Sequence, residues 1–424
     1  MSSILSATSH ISEKVQQSLV ELIVYVSEKS PFYKQKYANL TLNINDLDLY
    51  EYKKIPFTTK EDLAANDLNF LCVPKNEIAE YVTTSGTTGN PISLYLTQQD
   101  LERLAKNESD SFQLMGLDST DLFQLLTTID KQFMAGLAYS LGVQKLGAGM
   151  IRIGPGVPEL QWDSILKYEP TVLIAVPSFI VNLLEFAKEN NIDFTQTSVK
   201  SIVCIGEPIR NEDFTYNILG KRITETWKVD LYSTYASTEM GAAFSECTAH
   251  EGNHLNEELL FLEVIKEDGT EANDQESGEI VVTTLGATGS PLVRYKTGDI
   301  AKVYRTICKC GRTSPRLGPI LGRKNQMIKF KGTTIYPKAI FEMLDQFVEI
   351  SCYKIIVGKD ELNNDEITIL LEDKIESTSV FLSILDQCKS KLRVVPKFEF
   401  LESNTLRSMV YKKNLRKPEK IKFI

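Results

Sequence analysis

Between Thr171 and Gly206 the chain spells TVLIAVP, then PSFIVNLLEFAKENN, then KSIVCIG. The two short runs are apolar throughout rather than in alternation. Only a strand covered on both faces buries such a run. The segment between them carries apolar residues at helical spacing. Strand, helix, strand with both strands fully buried argues for a parallel sheet clad in helices. That unit constrains the rest, because a parallel sheet needs several such crossovers to close a core.

The remaining segments are read around it. Residues up to about 75 are mostly helical, as in SEKVQQSLVELIVYVSEKS. The stretch TTKEDL (Thr58 to Leu63) is a helix start, with Thr58 and Glu61 as a capping box. After about residue 255, ELLFLEVI, GEIVVTTL and IAKVYRT are strands divided by Gly, Asp and Asn turns, as in an antiparallel barrel or sheet. From about 326 the order is strand, helix, strand, strand, helix, strand. The fold class expected is α/β. A large N-terminal region over 1–324 has helix-covered sheets plus a small β-barrel-like subdomain, and a small α+β domain covers 326–424. With 424 residues and 42% hydrophobic content, the chain holds enough apolar mass for more than one domain.

Charge and cysteine usage exclude some functions. The net charge of −9 leaves no global basic field for nucleic acid. No apolar run nears the roughly 20 residues of a membrane span, and the N-terminus lacks a secretion signal. Seven scattered cysteines disfavour a disulfide framework. A cytoplasmic protein that binds neither membrane nor nucleic acid is expected.

YVTTSGTTGNP (Tyr81 to Pro91) concentrates hydroxyl and glycine. Glycines let the backbone approach a ligand closely, and successive N–H groups form an anion nest. The loop is not the common phosphate motif, because Asn90 and Pro91 follow Gly89 where Lys and Ser/Thr would stand. Alone, it fits a phosphate-gripping flap or a Thr-rich surface hairpin equally well.

Three further motifs follow in order: YASTEMG (Tyr235 to Gly241), YKTGDIAKV (Tyr295 to Val303) and GRKNQMIKFKGTTIYPKAIFEML (Gly322 to Leu344). With KIPFTTKEDL and SPFYKQKY, the set resembles the ANL superfamily of adenylate-forming enzymes, in its phenylacetate–coenzyme A ligase-like branch. The resemblance runs from about residue 30 to near the C-terminus. It implies an acid–thiol ligase: ATP-dependent conversion of an aryl or acyl carboxylic acid to its adenylate, with release of pyrophosphate, then transfer to coenzyme A. A carrier protein's pantetheine or an amine is the alternative acceptor. A nucleotide-binding relative with impaired catalysis is the alternative outside catalysis.

The resemblance also implies roles. Ser85, Gly86, Thr87, Thr88 and Gly89 would grip the β- and γ-phosphates. Tyr235 would stack on adenine, with Gly206, Glu207 and Pro208 lining the base. Thr238 would bond the α-phosphate and Glu239 would hold Mg²⁺, a hard cation that favours carboxylate oxygen. Asp299 would accept the ribose hydroxyls, and Arg323 would lie near them. Phe133, Met134, Ala135, Gly136 and Ala236 would form the acid's pocket, although core packing explains Phe133 and Met134 equally well. Gly332 would border the thiol tunnel.

Two departures stand out. Asn325 takes the hinge position usually held by Asp or Lys. TLRSMVYKKNLRKPEK replaces the usual C-terminal glycine–lysine stretch, so the catalytic lysine is assigned to Lys412, with Lys413 as alternative. A homodimer is open by analogy with the branch.

Cysteine and histidine also gather. TICKCGRT holds Cys308 and Cys310, and SECTAHEGNHL holds Cys247, His250 and His254. Three thiolates and one imidazole close a tetrahedral zinc shell. The expected set is Cys247, His254, Cys308 and Cys310, with His250 the alternative.

Overall fold

The computed structural model describes residues 12–43, 47–84, 91–331, 333–359, 365–411 and 419–424. The chain divides into two compact units, Met1–Thr297 with Ala301–Pro319, and Gly298–Ile300 with Ile320–Ile424.

In the first unit, β1 (Glu80–Thr83) and β2 (Ser93–Leu96) form an antiparallel hairpin. Five parallel strands follow: β3 (Leu122–Leu125), β4 (Gly149–Arg152), β5 (Val172–Ala175), β6 (Ser201–Cys204) and β7 (Asp230–Ser237), in the order β4-β3-β5-β6-β7. From β7 the same hydrogen-bonded path continues through β8 (Ala242–Glu246), β9 (Asn253–His254), β10 (Leu260–Ile265), β11 (Ser277–Thr284), β12 (Tyr295–Tyr304) and β13 (Arg316–Leu317). Its order beyond β7 is β8-β9-β13-β12-β11-β10.

The apolar strand runs divide by residue parity, since successive side chains point to opposite faces. Val172, Ile174 and Val203 join Phe112, Phe123, Tyr139 and Val143 on one face. Leu173, Ala175, Ile202 and Cys204 join Trp162, Ile180, Leu184 and Trp227 on the other. Helices Gln98–Leu114 and Met134–Leu146 cover the first face; Pro158–Tyr168, Pro177–Glu189 and Ile218–Thr224 cover the second. Burying both faces is what the unbroken apolar runs require.

One cap differs from the expectation. The helix Lys60–Asn66 starts from Thr59, whose Oγ1 accepts from Asp62 N while Asp62 Oδ2 accepts from Thr59 N. Thr58 is fully buried instead. Its Oγ1 donates to Val293 O at 2.8 Å, and its backbone bridges Tyr295, so it is already committed when the helix begins.

In the second unit, β14 (Gly322–Arg323) pairs with Asp299 and Ile300. A hairpin of β15 (Ile328–Phe330) and β16 (Thr333–Ile335) leads into helix Pro337–Leu344. Then come β17 (Tyr353–Lys359), β18 (Asp365–Glu372), helix Ser379–Gln387 and β19 (Lys397–Leu401). Helix Ser403–Val410 and β20 (Ile421–Phe423), which the sequence reading did not anticipate, complete it; the sheet order is β19-β18-β17-β20. Among the described residues, no helix is long and apolar enough to cross a membrane.

Candidate functional site

The hydroxyl–glycine loop begins where β1 ends. Thr84 N donates to Ile92 O at 3.0 Å, and Ile92 N donates to Thr84 Oγ1 at 3.0 Å. These two bonds join the chain on either side of the loop. Ser85, Gly86, Thr87, Thr88 and Gly89 themselves lie outside the described residues. Thr83 N donates to Gln132 O at 3.0 Å, so the end of β1 is tied to the segment that opens helix Met134–Leu146. Phe133 is that helix's half-buried N-cap residue and Met134 is buried. Gly136 lies against the backbone of Thr128 and Ile129. A Cβ there would fall 1.9 Å from Thr128 O, so only glycine fits.

The tyrosine–threonine–glutamate motif sits at the carboxyl end of β7, where open α/β sheets bind ligands. Tyr235 is buried opposite Phe244 on β8, with ring centroids 5.9 Å apart. Ala236 is exposed. Thr238 and Glu239 occupy the turn between β7 and β8, which Gly241 closes at φ +55°. Glu239 Oε1 accepts from Tyr295 Oη at 3.3 Å.

Beside this turn, Gly206 follows β6 at φ +73°, a left-handed conformation that favours glycine. The Glu207 carboxylate accepts from Ser178 N and Ser178 Oγ, both at 2.9 Å, at the start of helix Pro177–Glu189. It therefore anchors the turn to that helix. Pro208 O accepts from Asn217 Nδ2 at 2.8 Å.

In the second unit, Asp299 and Arg323 are register partners, with Arg323 Nε 3.3 Å from Asp299 Oδ1. Asn325 lies in the 3₁₀ turn Lys324–Gln326. Gly332, Lys412 and Lys413 lie outside the described residues.

The cysteine–histidine set is brought together within the first unit. The candidate ligand atoms of Cys247, His254, Cys308 and Cys310 all lie within 4.8 Å of one another. Cys247 Sγ is 3.7 Å from Cys308 Sγ, and His254 Nε2 is 3.5 Å from Cys310 Sγ. His254 Nδ1 meets Ser314 Oγ at 3.1 Å, which orients the ring. Gly311 N donates to Cys308 O and Cys308 N donates to Arg312 O, a tight knuckle around the C-x-C pair. Burial and the nearby Arg316 and Arg312 hold the imidazole down at about 4, so it is neutral at physiological pH and free to ligate a cation. Burial pushes the Cys247 thiol up to about 12. His250 is turned elsewhere, with Nδ1 3.3 Å from Glu246 Oε2 and its ring against Tyr232.

A family model described as AMP-binding enzyme matches residues 9–288. The chain belongs to the AMP-binding enzymes. It is an adenylate-forming enzyme of the ANL superfamily, similar to phenylacetate–coenzyme A ligases. The phenylacetate–coenzyme A ligase of Thermus thermophilus is 29% identical over 363 residues, which cover 84% of this chain and 80% of that protein. The ligase of the same name from Escherichia coli is 26% identical, over 88% of this chain and 84% of that one. A crystal structure of 2-hydroxyisobutyryl-CoA ligase with 2-HIB-AMP superposes at TM-score 0.81 and 21% identity. It covers 97% of this chain and 89% of that one, and the likeness is one of fold.

Several residues supporting this AMP-binding enzyme's site were not legible beforehand. Tyr295 was read as part of a motif without a role, yet its hydroxyl orients Glu239. Arg210 is buried, with Nε 2.6 Å from Glu246 Oε1 and Nη2 donating to Leu231 O. It fixes the Gly206–Pro208 turn to β7 and β8. Its partners are a distant acid and the carbonyls of Leu231 and Phe214, which no side-chain pattern announces.

Proposed function

We propose that this AMP-binding enzyme joins an aryl or acyl carboxylic acid to coenzyme A in two steps. In the first, a carboxylate oxygen attacks the α-phosphorus of ATP, the bond to the β-phosphate oxygen breaks, and pyrophosphate leaves. In the second, the thiol sulfur attacks the acyl carbon, AMP departs, and the thiol proton passes to solvent. Such chemistry rests on positioning and charge stabilisation.

The observation that carries this reading is the Thr238–Glu239 turn at the carboxyl end of β7, with Glu239 oriented by Tyr295. Thr238 would donate to the α-phosphate. Glu239 would hold Mg²⁺, which supplies neutralising charge at the phosphates. Tyr235 and the Gly206–Pro208 turn would face the base. Asp299 and Arg323 would serve the ribose, Ser85 to Gly89 the outer phosphates, and Lys412 the reacting carboxylate. Phe133, Met134, Gly136 and Ala236 would bound the acid, and Gly332 the thiol tunnel. Support comes from the full-length similarity to phenylacetate–coenzyme A ligases.

Cys247, His254, Cys308 and Cys310 would hold a structural zinc ion. Three thiols and a neutral imidazole within 4.8 Å fit its tetrahedral preference.

The test is acid-dependent exchange of labelled pyrophosphate into ATP, over a panel of aromatic and fatty acids that includes phenylacetate. Exchange with at least one acid, and AMP release on adding coenzyme A, is expected. No exchange with any acid would remove the reading. Metal analysis should find about one zinc per chain; well under one in carefully purified protein would remove the zinc assignment.

A further inference from the structure

Arg103, on helix Gln98–Leu114, is buried, and among the described residues its guanidinium bonds backbone carbonyls alone. Nε donates to Leu285 O at 2.9 Å, and Nη2 to Leu259 O. Nη1 donates to Gly241 O, with Met240 O 3.4 Å away. Asp100, three residues earlier on the same helix, spends its oxygens on Thr97, Thr288 and Gly289. A buried cation without a carboxylate is costly, and burial holds this guanidinium down at about 10.

Where those carbonyls lie gives the arrangement a purpose. Met240 and Gly241 directly follow Thr238 and Glu239. Leu259 and Leu285 flank the ends of β10 and β11. A cavity of about 30 Å³ lies beneath the turn, lined by Arg103, Thr238, Glu239, Gly241 and Ser290 among others. Arg103 and the turn thus line the same small space. Arginine's planar fork reaches several acceptors at once, which a lysine ammonium cannot reproduce.

We propose that Arg103 is a positioning residue for cation binding: it clamps the Thr238–Glu239 turn from below, so that the Glu239 carboxylate is presented to the Mg²⁺ of the nucleotide. This rests on the reading of Glu239 as the Mg²⁺ ligand.

The experiment is ATP binding by calorimetry, with and without Mg²⁺, for the parent, Arg103→Lys and Glu239→Gln. It needs no knowledge of the acid. The parent should bind ATP more tightly with Mg²⁺. Arg103→Lys should lose about tenfold of that gain and keep its metal-free affinity, as expected when hydrogen bonds of a charged group are removed. If a folded Arg103→Lys retains the full Mg²⁺ gain, the proposal is overturned. If Arg103→Lys does not fold, Arg103→Gln replaces it, a neutral side chain with fewer donors for the same carbonyls. Loss of the gain supports the proposal and retention overturns it. Failure of the underlying reading looks different: the parent and Glu239→Gln would then respond to Mg²⁺ alike.

Discussion

Glu108, one turn beyond Arg103 on the same helix, is a buried acid with little support. Its Oε1 accepts from Asn107 Nδ2 at 3.1 Å, and Oε2 has no partner among the described residues. Burial raises its pKa from 4.5 to about 7. The folded state therefore holds a proton that the unfolded chain releases at lower pH. The contribution of this group to stability is fully present below about pH 4.5, falls as pH rises towards 7, and levels off above it. Glu108→Gln has no proton to lose. In urea unfolding it should match the parent within about 1 kcal/mol at pH 4 and exceed it at pH 8, by at most about 3 kcal/mol. Equal stability at both pH values would show that Glu108 is not a buried neutral acid. The same scale shows what was legible. Cysteine and histidine bind metals in few ways, so Cys247, His254, Cys308 and Cys310 stood out from residue type, although nothing in the sequence separated His254 from His250. Arg103 was invisible because its partners are carbonyls, which every residue carries.

Among the elements, the strands around Thr171–Gly206 were legible because full burial leaves no polar position. Helix Ser403–Val410 was not, because its basic surroundings mask a short apolar face of Leu406, Met409 and Val410, packed on Cys352 and Leu370. β20 was missed too, since Ile421–Phe423 is short and its pairing with β17 is remote in sequence. Lys354 shows what this corner depends on: its buried Nζ donates to Met409 O at 2.8 Å and to Glu419 Oε2 at 2.6 Å, while Glu419 N donates to Val410 O. Lys354→Met should cost about 2 kcal/mol or more in urea unfolding, because it removes a buried cation's bonds to a carboxylate and a carbonyl. A loss below about 0.5 kcal/mol would mean that the pair is neutral. The knuckle around Cys308 and Cys310 supplies a second case. Cys308→Ser should abolish stoichiometric zinc and lower Tm by several degrees, as thermal unfolding with metal analysis would show. Unchanged zinc content would reassign the ligands.

At the scale of the molecule, the candidate residues fall in both compact units. Tyr235, Thr238 and Glu239 belong to the first, and Asp299, Arg323 and Lys412 to the second. Lys412→Ala should slow adenylate formation by more than about 100-fold, roughly 2.7 kcal/mol, in pyrophosphate exchange. An unchanged rate would move the role to another lysine. Gly136 and Gly142 set a different kind of boundary. The first touches the backbone of Thr128, and the second lies against Glu108, where a Cβ would come within 2.3 Å. Retooling this chain for a bulkier or slimmer acid therefore cannot begin at Gly136 or Gly142, whose mutation would wedge the helix off its neighbours before altering selectivity. Exposed Ala236 on β7 has room for variation, and if it bounds the acid as proposed, divergence in what the protein accepts should be sought there.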